Sequence, residues 1–220
     1  MAAPQLPLAE TEFLDHTSAE VRRLVASAAA DGTPVERAVR LYHAVRDGIR
    51  YEVYGADLSR AGLRASSVLR RGSGMCLHKS VVYAAALRAA GIPSRLVLTD
   101  VRNHLASPRL LDLLGGDVFH QHCLTAVHLN GRWLRATPVF NRTLCRLYGI
   151  PELAFDGTTD SVHHAYGSGG ALRMEFLREH GEFDDLPYDF VLDDLLRAHP
   201  RLFDAPGATT FVRGSLAAEA

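Results

Sequence analysis

Residues 71–95 read RGSGMCLHKSVVYAAALRAAGIPSR, and the rest of the chain is understood from this stretch outward. Arg71-Gly72-Ser73-Gly74 is a flexible turn, and Met75 to Ala90 then runs without a Gly or a Pro. Gly91 supplies a left-handed stop and Pro93 prevents resumption, so the pattern predicts one apolar helix that ends sharply. Ser94 to Val101 (SRLVLTDV) alternates and is rich enough in β-branched residues to predict a strand directly after it.

Toward the N-terminus two more helices are expected. Thr17-Ser18-Ala19-Glu20 reads as a capping box, and Val21, Leu24, Val25 and Ala28 follow at helical spacing until Asp31-Gly32. Thr33-Pro34-Val35-Glu36 repeats the signal, with Pro34 at a first helical position where no donor is lost. Toward the C-terminus, His122 to Leu129 and Arg132 to Thr137 flank Asn130-Gly131, the signature of a hairpin closed by a type I′ turn. A short helix is expected over Arg142 to Tyr148, a polar Gly-rich loop from Asp156 to Gly170, and a last helix over Tyr188 to Ala198. Residues beyond Ala208 read as frayed. Helices first and an antiparallel sheet second give an α+β class. No linker or repeat divides the chain, so residues 1–220 are expected to form one domain, with N-terminal helices and a C-terminal helical extension.

Composition excludes several functions. With 47% hydrophobic and 22% charged residues the chain is an ordinary globular sequence. Its 24 Lys and Arg against 25 Asp and Glu argue against nucleic-acid or anionic-membrane partners, which demand a basic excess. The opening MAAPQLPLAETEF lacks a secretory pattern, and the apolar run Val81 to Leu87 is far short of the ~20 residues of a membrane span. Three unpaired cysteines, Cys76, Cys123 and Cys145, fit a reducing compartment, so a cytoplasmic location is expected.

Cys76 sits in the first turn of its helix, where free N–H groups and the helix dipole favour a thiolate. Lys79, one turn on, either adds positive charge or faces solvent. By position alone Cys76 is an activated nucleophile or a small buried apolar residue. A nucleophile needs a base, and the hairpin offers His122. If paired numbers sum to 261, as the two-residue turn requires, His122 lies opposite Val139, with Thr137 and Asn141 as diagonal neighbours able to orient the imidazole. Cys123 and Cys145 read as core, Trp133 as packing beneath the hairpin, and His78 and His128 as surface or packing residues. His163-His164 falls in the Gly-rich loop and reads as exposed. His120 shares a strand face with His122, but no third ligand is evident, so neither a metal nor a cofactor is expected.

Gly74-Met75-Cys76-Leu77-His78-Lys79, the run Leu87 to Arg95 with its Gly91-Ile92-Pro93, and His122 followed eleven residues later by Trp133 together resemble the transglutaminase-like superfamily. The resemblance spans about Ile49 to Thr137, and Thr137 through Gly157 is similar to a bacterial stand-alone branch of it. It implies a papain-like α+β core in which a central helix bearing the nucleophile packs on an antiparallel sheet. It further implies Cys76 as nucleophile and His122 as general base and acid. The family places an aspartate four residues after the tryptophan; here that residue is Thr137, with Asn141 as the nearest substitute and Asp117 a further one. The implied reaction takes an acyl group from an amide or thioester, holds it on Cys76, and passes it to an amine or water. The alternatives are a biosynthetic enzyme that condenses or cyclises an acyl group carried by an acyl carrier protein, with a carbon acceptor, and a catalytically silent binding module.

Overall fold

The computed structural model describes residues 6–104, 106–162 and 174–219; the expectation for His163-His164 lies outside them. In chain order the elements are α1 (Ala19–Ala28), α2 (Pro34–Gly48), β1 (Arg50–Tyr51), α3 (Ala65–Arg71), β2 (Ser73–Gly74), α4 (Cys76–Ala89), β3 (Ser94–Asn103), α5 (Pro108–Leu114), β4 (Val118–Leu129), β5 (Arg132–Ala136), α6 (Arg142–Leu147), β6 (Met174–Phe183) and α7 (Tyr188–Ala198).

Helix α4 has no polar face, because every residue from Cys76 to Arg88 is buried. It is enclosed by α1, α2 and α3 on one side and by β3 and β4 on the other. Several of the polar side chains this burial traps find carbonyl oxygens. Ser80 Oγ donates to Cys123 at 2.8 Å, Tyr83 Oη to Ala38 at 3.1 Å, and Arg88 to Ser94 and Asp184 at 2.8 and 2.6 Å. Gly91, at φ +75°, ends the helix as expected.

The sheet is antiparallel throughout, in the order β5-β4-β3-β6. Asn130 and Gly131 both have positive φ, 49° and 77°, as a type I′ turn requires, and Leu129 pairs with Arg132. The ladder ends at Thr125–Ala136, three residues before the expected Val139–His122 pair would form. Pro138 has no N–H to continue it, and the Thr137 N–H is taken by the Ser161 carbonyl at 3.0 Å. His122 instead pairs with Thr99 on β3.

Two local readings are corrected. Thr17 does not join a capping box: its hydroxyl donates to Glu10, while Glu20 pairs with Arg70 at 3.0 Å, so Ser18 is the N-cap without a side-chain bond. The residues after Ala208 are packed rather than frayed. Phe211 is fully buried with its N–H on the Ala56 carbonyl, and the buried Glu52 carboxylate accepts the Leu216 N–H at 3.2 Å. Among the described residues no helix is long and apolar enough to cross a membrane.

Candidate active site

Glycine is required two residues before Cys76. A Cβ at Gly74 would lie 2.6 Å from His78 Cβ, because the His78 ring folds back over the turn. His78 Nδ1 accepts the Met75 N–H at 3.3 Å, and its other nitrogen meets the Asp57 carbonyl at 3.0 Å. Both ring nitrogens are thus committed to fixing the entry into α4, which makes His78 a packing residue.

Cys76 is the first residue of α4 and is fully buried. The backbone N–H groups of Cys123, Leu77 and Cys76 itself favour its thiolate, but burial outweighs them and pushes the thiol up to about 11. The expected activation by the helix terminus is therefore present but overcome, and the resting sulfur is a thiol. Lys79 neither faces solvent nor serves the sulfur. It is buried, with Nζ donating to the Arg46 and Ile49 carbonyls at 2.7 and 2.6 Å.

His122 precedes Cys123 on β4, so the strand that touches the sulfur with its backbone also carries the imidazole. The ring is buried, stands edge-on to Phe176 at 6.1 Å, and has no hydrogen-bond partner for Nε2 among the described residues. Burial lowers its pKa to about 4, so the ring is neutral near pH 7. None of the three expected orienting groups bonds to it. Thr137 Oγ1 is buried without a partner among the described residues, and its carbonyl accepts from Tyr42 Oη at 3.0 Å. Asn141 Oδ1 accepts the Tyr51 N–H at 3.0 Å, and Asp117 pairs with Arg102 at 3.2 Å. Cys123 and Cys145 are buried core residues, and Trp133 packs on the far face of the sheet beside Val97, Leu124 and Ala126.

His122 lines a narrow cleft, partly open to solvent, with a cavity of about 40 Å³. Its walls are mainly apolar, with Tyr51, Val101, Phe119, Phe140, Leu144 and Met174 among them. Tyr51 is the residue that sequence reasoning missed. It lines the cleft, meets Phe140 edge to face at 4.8 Å, and lies close enough to Cys76 that the sulfur's charge helps raise its phenol pKa, after burial as the main cause. Its aromatic ring in the short Arg50–Tyr51 strand offered no chemical motif to find it by.

His120 and His122 are parted by the fold. Gln121 has a φ of +56°, and the strand breaks its alternation there. His120 joins Asp100 and Asp194, and donor atoms of the three lie within 4.8 Å of one another; none of the three lines the cleft.

Solved structures with similar folds include a candidate cysteine protease from Cytophaga hutchinsonii (12% identity, 80% of this chain and 52% of that one, TM-score 0.46). Others are a TGase (17%, 57% and 32%, 0.40) and a candidate protease from Parabacteroides distasonis (18%, 59% and 24%, 0.37). The chain thus spans about half the length of the first and less of the others. No curated protein matches the sequence. The transglutaminase-like core family matches residues 22–138, more than half of the chain and all of the segment from α2 through β5. With its α+β core, its buried helix led by Cys76 and its antiparallel sheet, the chain belongs to the transglutaminase-like superfamily.

Proposed function

We propose that the protein is a cysteine-dependent acyl-transfer enzyme whose donor presents an apolar acyl group. Membership of the superfamily supports a cysteine-dependent enzyme at the coarse level. The observation that carries the finer reading is the placement of Cys76 at a helix terminus, against the N–H of the residue after His122 and close to Tyr51, which with His122 lines a mainly apolar cleft.

His122 takes the thiol proton as Cys76 Sγ bonds to the donor carbonyl carbon, and the carbonyl oxygen becomes an oxyanion. The N–H groups of Cys76 and Leu77, which face the sulfur at the start of α4, receive that charge. Collapse breaks the bond to the leaving amine or thiol, which takes the proton from His122, and an acyl thioester remains on Cys76. An amine or water then loses its proton to His122 as it attacks the thioester. The sulfur leaves as thiolate and recovers that proton. A neutral imidazole and a neutral thiol are the protonation states with which this cycle starts.

The apolar walls favour aliphatic or aromatic acyl groups over a polar glutamine side chain. Incubation with thioester and amide panels followed by intact mass measurement tests this. The expected result is a single apolar acyl adduct that disappears in Cys76→Ala. Adducts absent across both panels, with no turnover, would set the reading aside.

A second reading, a silent binding module, is favoured by the raised Cys76 thiol and by His122 Nε2, which has no partner among the described residues. It predicts that ligands of the cleft bind equally well to Cys76→Ala and never become attached.

A further inference from the structure

We infer that Asp100, His120 and Asp194 form a site for a divalent first-row transition ion, with Zn²⁺ as its representative. The three come from β3, β4 and α7 and are brought together by the bulge at Gln121, where the β3–β4 register slips between Thr99 and Val101. His120 Nδ1 lies 3.4 Å from Asp100 Oδ1 and 3.9 Å from Asp194 Oδ2. Asp100 is buried and Asp194 half-buried, so two carboxylates converge where solvent screens them poorly. A divalent ion held between them relieves both the repulsion and the desolvation.

Gln121 points to the same conclusion independently. Its side chain is fully buried and reaches into the cluster, with Nε2 donating to Asp194 Oδ2 at 2.8 Å. Its Oε1 has no partner among the described residues, an orphaned acceptor that a water, a donor or a cation would satisfy. His180 Nε2 lies 2.8 Å from Asp100 Oδ1, the outer-shell contact that orients ligating carboxylates. One imidazole and two carboxylates suit Zn²⁺ or its neighbours, whereas Ca²⁺ and Mg²⁺ favour oxygen alone. The ion would tie α7 to the sheet two residues before His122, as a positioning element rather than a reactant.

Tag-free protein, stripped with chelator and dialysed against Zn²⁺, should retain one ion per chain and melt at a higher temperature than the stripped form. His120→Gln and Asp194→Asn should each weaken Zn²⁺ binding by about tenfold or more without changing the circular dichroism of the stripped protein. Cys76→Ala should keep the full stoichiometry. Failure to retain Zn²⁺, retention indifferent to both ligand variants, loss in Cys76→Ala, or a preference for Ca²⁺ would each overturn the assignment. The measurement is independent of acyl transfer, so the two readings stand or fall separately.

Discussion

Ser80 Oγ donates to the Cys123 carbonyl at 2.8 Å, and the Ser80 carbonyl in turn accepts from Thr125 Oγ1 at 3.2 Å. This buried exchange locks α4, one turn after Cys76, to the strand that carries His122. Ser80→Ala leaves the Cys123 carbonyl without its hydroxyl partner, at a cost of about 1–3 kcal/mol. Since about 1 kcal/mol moves the Tm of a protein of this size by roughly 2–4 °C, thermal denaturation should show a drop of several degrees. Acyl turnover should fall with it, because the helix and strand lose a shared register.

The thiol of Cys76 reacts as thiolate, and burial holds it protonated well past neutrality. Its alkylation by iodoacetamide is expected to rise with pH through the neutral range with no plateau below about pH 8. A plateau there would show that Cys76 rests as an ion pair. Lys79→Met should leave this profile unchanged, since the Lys79 ammonium is committed to the Arg46 and Ile49 carbonyls. It should nevertheless destabilise the fold by about 1–3 kcal/mol through those two carbonyls.

The sequence displayed what is local and hid what is assembled. The Gly-rich entry, the uninterrupted apolar run and Asn130-Gly131 each carry their own geometry, and all three appear in the fold where their residues indicate. β6 escaped notice because Glu175, Arg178 and Glu179 interrupt its apolar pattern, as suits an edge strand. The packed tail escaped because Phe211 and Leu216 are isolated anchors in a stretch of small and polar residues. The thiol's environment stayed open between activated and buried because a helix terminus can be read from spacing, whereas enclosure by three helices and a sheet cannot. Asp100 and Asp194 went unrecognised as neighbours of His120 because they lie 20 and 74 positions from it along the chain.

Acid should unfold the protein through its buried imidazoles. His78 and His122 are both lowered by burial to about 4, below the ordinary value of 6.5. The unfolded chain therefore takes up protons first as pH falls. The stability these groups contribute is complete above about pH 6.5 and is lost progressively toward pH 4. At about 1.4 kcal/mol per unit, each ring accounts for roughly 3 kcal/mol across that window. Urea midpoints measured at about pH 7 and about pH 4 should differ accordingly, and His78→Gln should flatten part of the difference. A midpoint independent of pH would mean that both rings take up protons inside the fold.

The third member of the site is best resolved by comparing three variants on the thioester panel. His122→Ala removes the proposed base and should lower kcat by about 10²–10⁴, with little change in KM. Asn141 is bonded to the Tyr51 N–H, and Tyr51 and Phe140 together wall the cleft. Asn141→Ala should therefore loosen that wall and raise KM more than it lowers kcat. Thr137 Oγ1 is buried without a partner among the described residues, so Thr137→Ala removes no bond seen among them and should cost less than either. A kcat loss in Thr137→Ala equal to that of His122→Ala would show that the hydroxyl swings onto the imidazole during turnover and fills the aspartate's place. Equal and small losses in both would remove His122 from the role of base.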